Sequence, residues 1–127
     1  MRKQYHFRSS ERGLLAWDVD RLVKLTTGFT PVDVPLSAIR ELDEPFWYGS
    51  EGDKATCRSV ALHAKLMNET DSSYPIILSQ DAGVMDGMHR VCKALMAGME
   101  IISAVQFIID PEPDYIGVDP DELPYND

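Results

Sequence analysis

The sequence predicts an α+β fold, a compact domain with a small mixed sheet and packed helices. Three observations predict it. Short apolar, β-branched-rich runs at 32–36, 74–78, 84–85 and 101–109 read as strands. Between and before them lie segments whose apolar residues recur at helical spacing. The chain of 127 residues is enough for one core and little more.

Taken in order, residues 1–16 carry no clear periodicity. Asp18 is placed to cap a helix in which Val19, Leu22, Val23 and Thr26 share a face, with Gly28 as its stop. Trp17, before the cap, and Leu22, after it, suit a hydrophobic staple, and Trp17 reads as a packing residue. Val32, Val34 and Leu36 alternate with Asp33 and Pro35, a strand in which Pro35 favours an edge position or a strand end. Leu36–Ile39 then forms a turn of helix. In the loop 40–49, Glu41, Asp43 and Glu44 stand beside Phe46-Trp47-Tyr48, aromatics that either cover the core or line a pocket.

Asp53 is read as the cap of a second helix, from Lys54 to about Glu69, with Cys57, Val60, Ala61, Ala64 and Met67 inward. His63 and Arg58 are expected outward or at its margin. Strand 74–78 is joined to 84–85 by a hairpin turn at Gln80–Gly83. A helix from about His89 to Ala97 follows, burying Val91, Ala94 and Leu95, with Gly98 as its C′ residue. The last strand is 101–109. The sequence thus divides into an N-terminal arm with an extra helix (1–30), a domain (31–109) and an acidic, Pro-rich tail (110–127).

Net charge is −9, but seven acidic residues and no Lys or Arg lie in 110–127, leaving 12 basic against 14 acidic side chains elsewhere. A nearly neutral body is not the footprint of a nucleic-acid-binding domain, and no nucleic-acid partner is expected. The basic arm (Arg2, Lys3, Arg8, Arg12) and the acidic tail read as solvated ends, the tail extended or partly disordered, with Tyr115–Val118 able to dock on its own protein. No apolar run is long enough for a membrane span, and 1–12 lack the apolar centre of a secretory signal, so a cytoplasmic location and no membrane partner are expected. Cys57 and Cys92 suit neither a zinc spacing nor a disulfide framework and read as buried or half-buried thiols; no structural metal is expected.

The chemistry centres on Asp86-Gly87-Met88-His89-Arg90, where a strand gives way to a helix. First-turn amides have no acceptor inside the helix, and the helix dipole adds positive character there, so the position suits an anion, above all phosphate. Gly87 permits a sharp turn, Arg90 offers a forked cation, and His89 a hydrogen bond or a charge. Asp86 could cap the helix, orient His89 or Arg90, or bind a magnesium ion held by a nucleotide.

Residues 31–109 resemble the ParB/sulfiredoxin superfamily. The resemblance rests on V-P-L-S-A-I from Val34, P-I-I-L from Pro75, the hairpin, and DGMHR with Ala94 and Gly98 following, then I-S-A-V from Ile102. It implies that Asp86, Gly87, Met88, His89 and Arg90 bind the phosphates of ATP, ADP or CTP, with Mg2+. DGMHR is similar to the DGHHR of the superfamily's free-serine kinases, which implies phosphoryl transfer to a small-molecule or protein acceptor. In those kinases a glutamate after the first strand acts as base, a role that falls by position to Glu41 or Glu44, with His89 beside it as a catalytic candidate. Met88 stands where sulfiredoxins carry their reactive cysteine, so that chemistry is not expected. Partition proteins carry Gly-Glu-Arg-Arg and a following DNA-binding region, neither of which is found here. The alternative is a non-catalytic binding or regulatory module of the same fold, with DNA binding or a nuclease activity ranked below both.

Overall fold

The computed structural model describes residues 3–48 and 54–125 and has an α+β architecture. Three helices, α1 (Val19–Leu25), α2 (Cys57–Glu69) and α3 (Met88–Met96), accompany two sheets. The first sheet joins β1 (Tyr5–Ser10), β2 (Gly13–Asp18) and β7 (Tyr115–Ile116) in the order β1-β2-β7. The second joins β3 (Val32–Pro35), β4 (Ile76–Leu78), β5 (Val84–Asp86) and β6 (Ile101–Gln106) in the order β3-β6-β4-β5. This second sheet is small and mixed: β4 runs parallel to β6, while β3–β6 and β4–β5 are antiparallel.

Alternation along β4 divides the core. Ile76 and Leu78 join Leu36, Ile39, Val84, Met88, Val91 and Ala104 in a cluster between the mixed sheet and α3. Ile77 points the other way, into a cluster with Met85, Val105 and Phe107 and with Leu15, Trp17 and Leu22 from β2 and α1. The two sheets therefore share one core layer, and helix and short 3-10 turns cover the far face. Each fully buried Leu or Ile here contributes about 1.5–3 kcal/mol over an exposed one.

Several expectations hold. Asp18 caps α1 by accepting from the Asp20 N–H, and Trp17 and Leu22 meet in the core. β3 lies at a sheet edge, and Leu36–Ala38 is a 3-10 turn. Gly98 takes a φ of 74° after α3.

Others are corrected. Residues 5–18 form a hairpin. The tail is not merely extended: Tyr115 and Ile116 pair with Ala16 and Leu15, and Leu123 is buried. Nor are the charged ends solvated independently. Arg8 pairs with Asp110 at 3.0 Å and Arg21 with Asp114 at 3.1 Å, so the arm and the acidic tail satisfy each other. Trp17 Nε1–H donates to the Pro111 carbonyl at 2.8 Å, fastening the tail at its start.

α2 also departs from expectation. Asp53, Gly49 and Arg2 lie outside the described residues; Thr56 caps the helix, in a reciprocal box with Ser59. No residue of α2 is fully buried. Cys57, Val60, Ala61 and Ala64 are exposed, and the inward stripe is Ser59, His63 and Met67. This face meets aromatic rings rather than an aliphatic core, so apolar content does not mark it. On α3, Val91 is buried and Ala94 half-buried, but Leu95 is exposed. β6 ends at Gln106, because the chain turns out after Phe107 and leaves Ile108 and Ile109 in solvent.

Candidate functional site

An open cleft of about 870 Å³ runs between the two sheets on the side where β1 and β5 are the outer strands. Asp86, Gly87, Met88 and His89 line it, and so do Glu41 and Glu44. The fold thus brings together two groups that the sequence separates by some forty residues. Arg90, the remaining candidate, does not line the cleft.

Gly87 is the hinge between β5 and α3. It takes a left-handed conformation, φ 108° and ψ 21°, and makes no side-chain cap. A β-carbon there would stand 2.7 Å from Arg90 Nη2 and 2.7 Å from Ile76 Cγ2, so only glycine fits. The Val91 N–H takes the Gly87 carbonyl at 3.0 Å as the first helical bond. The amides of Met88, His89 and Arg90 therefore have no acceptor within the helix.

Asp86 neither caps the helix nor orients His89. Its Oδ2 accepts from Arg90 Nη2 at 3.1 Å, and the same nitrogen reaches the Pro75 carbonyl at 3.3 Å. Both side chains are largely buried, at 18% and 15% exposed, so the pair braces the turn from behind. Arg90 Nε is buried without a partner. The forked cation that sequence reasoning directed at phosphate is thus spent on the loop itself.

His89 faces the cleft under an aromatic cover. Its Nε2 lies 2.9 Å from His63 Nδ1 on α2. Trp47 stacks on both imidazoles, with centroids 4.2 Å from His63 and 4.6 Å from His89. Burial lowers the pKa of both histidines, and the His63 and Arg90 charges lower that of His89 further. One ring therefore donates to the other as a neutral imidazole near pH 7. The aromatic loop does both things open to it in sequence: Phe46 and Trp47 line the cleft, while Trp47 also packs on the core. Tyr48 turns away, its hydroxyl 3.0 Å from Ser59 Oγ.

Glu41 sits in a 3-10 turn, Arg40–Asp43, and is only 8% exposed. Its Oε2 accepts the Val84 N–H at 2.9 Å, and its Oε1 is buried without a hydrogen-bond partner. The turn is held in place by Arg40, which donates to the Asp81 carbonyl at 2.8 Å and pairs with its carboxylate at 3.3 Å. A hydrogen bond from the Ser79 hydroxyl holds the Asp81 pKa below the usual carboxylate range. Glu44 is exposed on the cleft rim.

Sequence reasoning missed His63, Arg8, Arg40, Asp81 and the whole of β1 as neighbours of the site. Among the described residues, no three His, Cys, Asp or Glu side chains cluster as a metal site, and no helix is long and apolar enough to cross a membrane. Cys92 is half-buried, in line with expectation, whereas Cys57 is exposed and corrects it. No protein-family model matches the chain, and neither a curated protein nor a solved structure does.

Proposed function

We propose that the cleft binds the phosphates of a nucleotide at the start of α3 and supports phosphoryl transfer to an acceptor. The observation that carries this reading is the meeting of the α3 first-turn residues with Glu41 and Glu44 in one cleft. The amides of Met88 and His89 supply fixed dipoles for phosphate oxygens, and in the tautomer where His89 Nε2 accepts from His63 Nδ1–H, neutral His89 adds its Nδ1–H as a donor. Phosphoryl transfer then needs positioning, charge neutralisation and a proton acceptor. Glu41 suits the last role better than Glu44, because its buried Oε1 has an unmet hydrogen-bonding capacity. Mg2+ carried by the nucleotide would neutralise phosphate charge. Arg90 acts through Asp86 by holding the turn and is a positioning residue.

A second reading, a binding module without catalysis, is favoured by one observation: the only arginine of DGMHR is committed to Asp86. Nucleotide turnover separates the two. In the catalytic reading Glu41→Gln, which keeps an oxygen for the Val84 N–H, lowers turnover by about 10²-fold or more with little loss of stability, and Glu44→Gln has the smaller effect. Equal turnover in all three proteins would exclude Glu41 as the base.

A further inference from the structure

Among the described residues no strand pairs with the outer edge of β1, and that edge faces the cleft. In an antiparallel ladder, residues that bond across the pair alternate with residues whose backbone groups point outward. Gly117 N–H donates to the Leu14 carbonyl and Asp114 N–H to the Ala16 carbonyl. Leu14 and Ala16 therefore point their backbone groups at the tail, away from β1. Their partners across the ladder are Ser9 and Phe7, which must point theirs to the opposite side. Asp18 likewise gives its N–H to the Asp114 carboxylate, and its partner is Tyr5. Tyr5, Phe7 and Ser9 thus present N–H and C=O groups on the side of β1 that no strand of the sheet covers.

The cleft follows this edge. Gln4 to Ser9 all line it, which takes in side chains from both faces of β1. Only a space running along the strand's edge meets successive residues in that way. The opposite edge, on β5, is already closed by a side chain, since the Val84 N–H belongs to Glu41. At its start β1 is closed too, where the Lys3 N–H meets the Tyr125 carbonyl. Among the described residues, what stays open is a segment of five residues, walled by Pro45–Trp47 and by the turn at Asp81 and Gly83.

Charge selects among occupants. Among the described residues Glu41 and Glu44 line the cleft without an ion pair, whereas its other carboxylates, Asp81 and Asp86, are paired with Arg40 and Arg90, and its Arg8 with Asp110. An added chain would lie at the strand spacing of about 4.8 Å from β1.

We propose that β1 accepts an extended, basic peptide segment of a partner protein as an added strand. Main-chain hydrogen bonds to Tyr5, Phe7 and Ser9 supply affinity, and Glu41 and Glu44 supply the preference for Lys or Arg. This goes beyond the nucleotide reading and stands without it.

The test pans a phage-displayed library of random decapeptides against the full chain without nucleotide, followed by synthesis of the enriched sequences. Enriched peptides are expected to be net basic, to bind more weakly as salt rises, and to slow hydrogen exchange at the Phe7 and Ser9 amides. N-methylation at alternate peptide positions should weaken binding about fivefold or more for each lost bond. Phe7→Pro and Ser9→Pro each remove an outward N–H without touching the β1–β2 ladder, and a fold-retaining variant of either should show the same loss; the peptide modification tests the point even where both variants fail to fold. The proposal is overturned if no peptide is enriched, or if enriched peptides leave Phe7 and Ser9 exchange unchanged. Concentration-dependent dimers that protect those amides without peptide would overturn it as well. Either failure leaves nucleotide binding to be judged separately.

Discussion

His63 Nδ1 lies 2.9 Å from His89 Nε2, and Trp47 covers both rings. This three-ring stack joins α2, which has no fully buried residue, to the first turn of α3. The contact that fastens a helix to the domain is therefore also the contact that occupies Nε2 of the cleft histidine and leaves Nδ1 as its other nitrogen.

Acidification weakens that contact. Both folded-state pKa values lie below the ordinary 6.5, so the unfolded chain takes up protons first. The stabilisation is complete above the unfolded value and is lost as pH falls through the folded values. His6, pushed down to about 4 by burial and by the Arg8 charge, acts in the same direction and extends the window to lower pH. The melting temperature is expected to fall by several degrees between about pH 7.5 and about pH 5. A His63→Gln/His89→Gln variant should show a smaller fall, and an equal fall in both proteins would locate the effect elsewhere.

Gly87→Ala tests the turn before α3. The left-handed backbone alone costs a non-glycine residue about 1–3 kcal/mol, and the added carbon meets Arg90 and Ile76 at 2.7 Å. Urea unfolding should show at least that loss. A variant of wild-type stability would mean that the turn relaxes freely and that the Asp86–Arg90 brace does not fix it.

The tail is expected to stabilise the fold. Truncation after Ile109 removes β7, the buried Leu123 and the carboxylates that hold Arg8 and Arg21. Leu123 burial alone contributes about 1.5–3 kcal/mol, whereas the half-exposed ion pairs add less than about 1 kcal/mol each. Loss of several kcal/mol in chemical denaturation is expected; an unchanged midpoint would show that the paired tail contributes nothing net.

The mixed sheet and the DGMHR turn were legible in the sequence because their signals are local. Asp18 and Gly98 mark helix ends, and Val84-Met85-Asp86-Gly87 passes from strand to helix within four residues. The β1–β2 hairpin was not legible. Its strand Tyr5–Ser10 mixes half-buried and exposed residues on both faces, and its turn carries one glycine, the left-handed Gly13 after Glu11-Arg12, with no Asn-Gly or Asp-Gly pair to mark it. β7 follows Pro-Glu-Pro-Asp and spans two residues, too short for any periodic signal. Within the site, the sequence picked Glu41, Gly87 and His89, but it could not show that Asp86 would claim Arg90, since both partners also suited a ligand. His63 was hidden because its helix face is polar and packs on rings.

The central claim, a nucleotide-phosphate site at the start of α3, is tested most directly by titration calorimetry of the full chain with ATP, ADP and CTP, each with and without Mg2+. Binding of at least one nucleotide at millimolar concentration or below is expected, weakened about tenfold or more in His89→Ala through loss of a donor to a charged group. No heat from any of the three at millimolar concentration, or binding that ignores His89→Ala, would contradict it.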